Sequence, residues 1–249
     1  MAKISLSVIT KNEEKTLPLC IESVKGLVDE IVVVDSGSVD RTVEIAKTMG
    51  AKVVYNEFKS FAAQQTFAMN LCSNDWVLHL DADEALTPEL REEIAALIDV
   101  TDCDGFYLYR SNYLFGKKMK HGGLGREKRL RFAKKSKSLY TGQFLHDVLT
   151  VDGKTGELKN VFTHVPYLNL AAYFAKSAVY TSKGAEDAHN KGRKFTVTGL
   201  IFRPPFTFFK FYILKLGILD GFEGYVWAML GFYHTFVKYL KLWALQNNK

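Results

Sequence analysis

Short apolar runs alternate with stretches of helical period over residues 1–104 of this chain. Residues 4–9 (ISLSVI) predict a strand. Residues 14–27 follow with Leu17, Cys20, Ile21 and Val24 on one helical face. Residues 31–34 (IVVV) form a continuous β-branched run, the pattern of a parallel strand buried on both faces. Residues 40–49 read as a helix with Asp40 as N-cap and Gly50 as its stop. A third strand is expected at 52–55, a helix at 62–72 and a fourth strand at 76–80. Thr87 and Pro88 then open a helix running to Ile98, threonine as cap and proline in the first turn. Such alternation predicts an α/β chain with a parallel, doubly wound sheet.

The pattern changes at Gly105. A strand at 105–109 leads into a basic, glycine-bearing segment, with shorter strands expected near 130–132, 148–151 and 158–164 and a helix at about 171–188. The chain is therefore divided into a domain at 1–198, with halves at 1–104 and 105–198, and a helical extension at 199–249. That extension holds 14 of the 33 aromatic residues, mixed with lysines at helical spacing, which suits a helix lying in a lipid headgroup layer. Its longest charge-free stretch, residues 224–237, is too short to cross a bilayer.

Charge sharpens this division. The formal net charge is +6, and residues 110–137 alone carry eleven Lys or Arg against one acid, Glu127. A local basic block calls for an anionic partner such as phosphate or acidic headgroups. Aromatics are not interleaved with these cations as in nucleic-acid modules, so no nucleic acid is expected. Cys20, Cys72 and Cys103 are too few and too scattered for a disulfide framework or a zinc site. With no leader-like N-terminus, a cytoplasmic protein at the inner face of the membrane is expected.

Candidate chemistry gathers at the strand ends. Asn12 and Glu13 follow the first strand, Asp35 ends the second, and Asp81-Ala82-Asp83 ends the fourth. Ligands of open parallel sheets bind beyond the carboxyl ends of the strands, so these acids are expected on one edge. In extended chain, residues two apart face the same way, and a carboxylate pair suits Mg²⁺ or Mn²⁺ held together with substrate phosphates.

Residues 7–14 (SVITKNEE), 30–42 (EIVVVDSGSVDRT) and 75–89 (DWVLHLDADEALTPE) resemble, in order and spacing, the inverting family 2 glycosyltransferases, whose fold is GT-A, a Rossmann-like nucleotide-diphospho-sugar transferase domain. The likeness is greatest to bacterial enzymes that add sugars, often glucose, to the lipopolysaccharide core. It continues through Arg131, His146-Asp147 and residues 219–222. The resemblance implies that Asp35 takes the nucleotide base and that Thr10 and Glu13 line the same pocket. It implies that Asp81 approaches the ribose or the metal's water shell and that Asp83 binds the metal. Gln64 matches a donor-contacting helix start, Arg131 a donor-binding position, and Asp147, assisted by His146, the general base. The implied reaction is transfer of a hexose, glucose from UDP-glucose first among candidates, to a lipid-linked or lipopolysaccharide-core acceptor at an anionic membrane surface. Residues 124–127 (LGRE) stand where such relatives carry an aromatic-Pro-Asp element.

Three alternatives use the same pieces. Haloacid-dehalogenase-like phosphatases also place Asp-x-Asp after a buried strand, but need a hydroxyl residue shortly after, where Glu84 and Ala85 stand. A sugar nucleotidyltransferase wants a glycine-rich basic loop after strand one, which residues 10–14 (TKNEE) lack. An inactive membrane-associated binding module would have no use for Asp35, Asp81, Asp83 and Asp147 together.

Overall fold

The computed structural model describes residues 2–143 and 146–247, with the side chains of residues 143–147 also outside the description. The chain divides into two compact units: residues 1–111 with 127–164, and residues 112–126 with 165–249.

The first unit opens with β1 (Ile4–Thr10), α1 (Leu17–Ser23), β2 (Glu30–Asp35), α2 (Thr42–Thr48), β3 (Lys52–Tyr55), α3 (Phe61–Leu71) and β4 (Trp76–Asp81). A short strand, β5 (Glu84–Leu86), then precedes α4 (Pro88–Leu97). β6 (Gly105–Leu114) follows, then β7 (Lys117–Lys118), β8 (Glu127–Lys134), β9 (Ser138–Gln143), β10 (His146–Val151) and β11 (Thr155–His164). The sheet runs β3-β2-β1-β4-β8-β6-β11-β5, parallel among the first four strands and antiparallel at the β4–β8, β8–β6 and β11–β5 pairs. β9 and β10 pair separately.

Alternation along β1 explains how its faces are filled. Ile4, Leu6 and Val8 join Leu17, Cys20, Leu78, Leu80 and Leu90 in the larger apolar cluster, while Ile9 packs with Val32, Val34, Ala68 and Val77 beneath α3. The register sets Thr10 beside Asp35 and Ile9 beside Asp81, so the ends of β1, β2 and β4 lie level. Caps appear where expected at the start of α4, with Thr87 Oγ1 accepting from Leu90 N at 3.3 Å. Gly50 has φ +84°, as a helix-terminating position requires. Asp40 sits one residue before the cap position of α2, and its carboxylate accepts from Thr42 N. β5 was not legible in the apolar pattern; it exists because it pairs with the end of β11, Ala85 opposite Thr163.

The second unit holds the hairpin of β7 with the end of β6 and the helices α5 (Leu170–Asn190), α6 (Val197–Phe209) and α7 (Gly221–Asn247). The domain boundary expected at 198 leaves α5 with the sheet. In the structure α5 lies along α7, with Tyr173 Oη donating to Leu230 O at 2.8 Å and Lys241 Nζ to Ala178 O at 2.7 Å. α6 runs through Pro204 and Pro205, continues as a π turn over 210–214, and reaches α7 through a 3-10 turn at 217–220.

Candidate active site

The level strand ends bring the sequence-singled acids to one edge of the first unit. Asp35 is buried, and its Oδ2 accepts from Gly37 N at 2.8 Å and Ser38 N at 2.9 Å while Oδ1 accepts from Ser38 Oγ at 2.5 Å. The carboxylate thus shapes the loop that leaves β2. Asn12, in the left-handed region at φ 56°, ties the loop after β1 to the same turn through Ser38 Oγ and Val39 N. Thr10 is buried next to Asp35, and its Oγ1 has no hydrogen-bond partner among the described residues. Glu13 carries the entry to α1: its carboxylate accepts from Thr16 Oγ1 at 2.7 Å and its carbonyl from Leu17 N. Gln64, at the start of α3, donates to Ser36 Oγ and Asn56 O and accepts from Asn56 Nδ2. Its amide therefore braces the rim around Asp35.

Asp81 and Asp83 have different surroundings. Asp81 Oδ2 accepts from Arg131 at 2.6 Å and Oδ1 from Gln65 Nε2 at 3.3 Å, so both oxygens are engaged. The same Arg131 nitrogen reaches Glu84 Oε1 at 2.8 Å, Arg110 stands 3.6 Å from that oxygen, and Glu84 Oε2 accepts from Asp81 N. Burial pushes Asp81 up, but the charge and hydrogen bond of Arg131 outweigh it and hold the carboxyl below its usual range. Burial pushes Glu84 up to about 7, against the pull of Arg131 and with Asp81 and Asp83 adding to the rise. Arg131 itself is buried, yet its two carboxylate neighbours keep it charged.

Asp83 instead faces the end of β11, where His164 Nε2 lies 3.5 Å from its Oδ1. Two ligands of one divalent ion, each about 2.1 Å from it, stand about 3–3.5 Å apart. A carboxylate oxygen and an imidazole nitrogen at this spacing suit Mn²⁺ or Mg²⁺ completed by phosphate oxygens and water. No cluster of three or more His, Cys, Asp or Glu is placed to hold a metal among the described residues.

Sequence reasoning passed over Gln65, Glu84, Arg110 and His164. Gln65 and Glu84 adjoin residues that were singled out, and His164 ends a strand as Asp81 does. The side chains of His146 and Asp147, expected to supply the base, lie outside the described residues; their backbone opens β10.

The edge thus sets Thr10, Asp35 and Asp81 side by side, with Arg131 holding the carboxylates of Asp81 and Glu84. The chain is similar to known proteins along nearly its whole length. An uncharacterized glycosyltransferase of Rickettsia felis is 33% identical over 97% of this chain and 90% of its own length. The lipopolysaccharide core biosynthesis glycosyltransferase LpsC of Rhizobium meliloti is 29% identical over 96% of this chain and 92% of its own. Among solved structures, the chain is similar to glucosyl-3-phosphoglycerate synthase from Mycobacterium tuberculosis in complex with Mn²⁺, UDP and glucosyl-3-phosphoglycerate, at 26% identity over 44% of each chain and a TM-score of 0.39. S. aureus TarS in complex with UDP matches 99% of this chain and 92% of that one at 14% identity and a TM-score of 0.47. The model of glycosyl transferase family 2 matches residues 5–149, which contain Asp35, Asp81 and Asp83, and the chain belongs to that family, with its GT-A fold.

Proposed function

We propose that this glycosyltransferase is metal-dependent and inverting, moving a hexose, glucose from UDP-glucose first, onto a lipid-linked or lipopolysaccharide-core acceptor at the inner, anionic face of the membrane. The observation that carries the reading is the shared edge: Thr10, Asp35 and Asp81 stand at the ends of three adjacent parallel strands, and Asp83 lies in the turn that follows Asp81. Similarity to LpsC along nearly the whole chain supports the acceptor class.

In this reading the base of the nucleotide sits against Asp35, with Thr10 Oγ1 as a further polar contact and Gln64 holding the rim through Ser36 and Asn56. Glu13 lines the same pocket. Asp81, its charge balanced by Arg131, meets the ribose or the metal's water shell. Asp83 and His164 would hold Mg²⁺ or Mn²⁺, which supplies charge neutralisation for the departing diphosphate. Asp147, oriented by His146, removes the proton of the acceptor hydroxyl as it attacks the anomeric carbon. Attack on the face opposite the leaving group gives inversion in one displacement.

Thermal-shift screening of UDP-, GDP-, ADP- and dTDP-sugars, with and without Mn²⁺, tests the reading. One uridine donor should raise Tm in a metal-dependent way, and Asp83→Ala should abolish the rise. Asp147→Ala should keep it while transfer is lost; transfer that survives in this variant removes Asp147 from the base role.

A further inference from the structure

The second unit carries apolar side chains that its own packing leaves outside. Between α6 and α7 the chain makes a knuckle over residues 214–222, where Leu214, Leu216, Ile218, Leu219 and Phe222 all point outward, Phe222 at 73% exposure. This knuckle is tightly built. Leu216 is held at φ 57°, and a Cβ on Gly224 would lie 1.8 Å from the carbonyl oxygen of Gly217, so the two turns touch backbone to backbone. Along α6, Val197, Ile201, Phe202, Phe206 and Phe209 are exposed as well.

Cations surround the tip. Buried Asp220 accepts from the backbone N–H groups of Lys120 and His121, and Lys117 Nζ donates to Asp220 O at 2.7 Å. Gly122 N donates to Lys215 O at 2.8 Å, and Trp227 Nε1 to Gly122 O at 3.1 Å. These bonds fasten the hairpin that bears Lys117, Lys118 and Lys120 beside the knuckle, which itself carries Lys215 and follows Lys210. Of the nearby acids, Asp220 faces inward and Glu223 pairs with Lys117 at 2.8 Å. Residues 188–219 contain six Lys or Arg and no Asp or Glu.

We propose that this knuckle and its ring of lysines are where the protein enters a bilayer rich in anionic lipid, an inference that rests on the lipid-linked acceptor proposed above. Leu214, Leu216, Leu219 and Phe222 sink to the acyl boundary while Lys118, Lys120, Lys210 and Lys215 meet phosphate headgroups, their stems along the apolar surface. No helix among the described residues is long and apolar enough to cross a membrane, so the contact is interfacial. A second copy of this chain fits the surface less well, because a two-fold contact through the tip would set its lysines against one another.

Sedimentation of the full chain with phosphatidylcholine vesicles, with and without phosphatidylglycerol, tests this. The wild type should pellet with the anionic vesicles and stay in solution with the neutral ones. Leu219→Ser/Phe222→Ser should weaken partition more than about tenfold. Lys118→Gln/Lys120→Gln should weaken it about fivefold per lysine and flatten its salt dependence. Wild-type protein that ignores anionic vesicles, or double variants that pellet unchanged, would overturn the proposal. So would a wild-type dimer in light scattering that Leu219→Ser/Phe222→Ser disperses. The UDP-sugar thermal shift on the same samples separates the two readings: its loss in the wild type speaks against glycosyl transfer, whereas vesicle results with the shift intact in every variant bear on the knuckle alone.

Discussion

Arg131 and Asp81 form a 2.6 Å ion pair in which the same guanidinium nitrogen also holds Glu84 at 2.8 Å. A buried cation therefore sits against the carboxylates of Asp81 and Glu84. Arg131→Met would leave Glu84 buried beside Asp81 with only the more distant Arg110 opposite. Removing one partner of a buried pair costs about 3–5 kcal/mol, and urea unfolding at pH 7 should read a loss of that size. Arg131→Lys keeps the charge but reaches the two carboxylates less well, and it should lose less than half as much. Equal losses in both variants would show that the contacts of the fork, rather than its charge, hold this site together.

Asp83 lies in the turn between β4 and β5, and the pairing of β5 with β11 brings His164 to it. If they share a divalent ion, Asp83→Asn and His164→Gln should each abolish the Mn²⁺-dependent part of UDP binding in calorimetry, with metal-free binding unchanged within about twofold. Structural metal would behave otherwise, since its removal unfolds the domain. Tm without metal is expected to fall by less than about 3 °C in both variants, as for a partly exposed pair of small energetic weight. A variant retaining full Mn²⁺ dependence excludes its residue from the ion.

His79 lies on β4 two residues before Asp81, fully buried, edge-on to the ring of Tyr140 at 5.3 Å, with neither ring nitrogen hydrogen-bonded among the described residues. Burial, with the charge of Arg131 adding, pushes its pKa down to about 3. The unfolded chain binds this proton near pH 6.5 and the native one does not, so protonation favours unfolding throughout the interval between those values. Stability is complete above pH 6.5 and should fall on acidification by up to about 1.4 kcal/mol per pH unit from this group. Urea unfolding at pH 7, 6 and 5 should show that slope as the difference between wild type and His79→Leu, because Glu84, raised to about 7, favours the native chain on acidification in both. An identical acid limb in the variant assigns the loss to other groups.

The parallel half of the sheet was legible because buried parallel strands need apolar runs on both faces, and those at 4–9, 31–34 and 76–80 contain little else. Their last residues carried the chemistry for the same reason: Asp35 and Asp81 stand where each run stops. His164 and Arg110 were not legible. They reach Asp83 and Glu84 only through the order β8-β6-β11-β5, a register set by long-range pairing and a bulge at Phe106/Tyr107. Proline removes a helical N–H and so reads as a start or stop, yet α6 carries Pro204 and Pro205 through its middle, with Pro204 buried and Thr207 beside Thr235 of α7 at 3.1 Å. Tertiary packing overrides the local preference there.

In the proposed nucleotide pocket Gln64 and Asp35 have different surroundings, and substitution should separate their roles. Asp35 is buried and accepts three hydrogen bonds from the turn at 37–38, all of which Asn can imitate only in part. Asp35→Asn should cost about 1–2 kcal/mol of stability, because a charge-assisted contact becomes a neutral one. If its carboxylate also meets the base, UDP affinity should drop more than tenfold. Gln64 directs its amide to Asn56 and Ser36, so Gln64→Ala leaves those groups without a partner and costs about 1–3 kcal/mol. Its effect on UDP should be smaller, about threefold, and should disappear when affinity is measured at a temperature well below Tm, where the rim stays closed. Calorimetry with UDP at two temperatures makes the comparison. A Gln64→Ala variant that loses UDP as completely as Asp35→Asn at both temperatures would place Gln64 against the nucleotide itself.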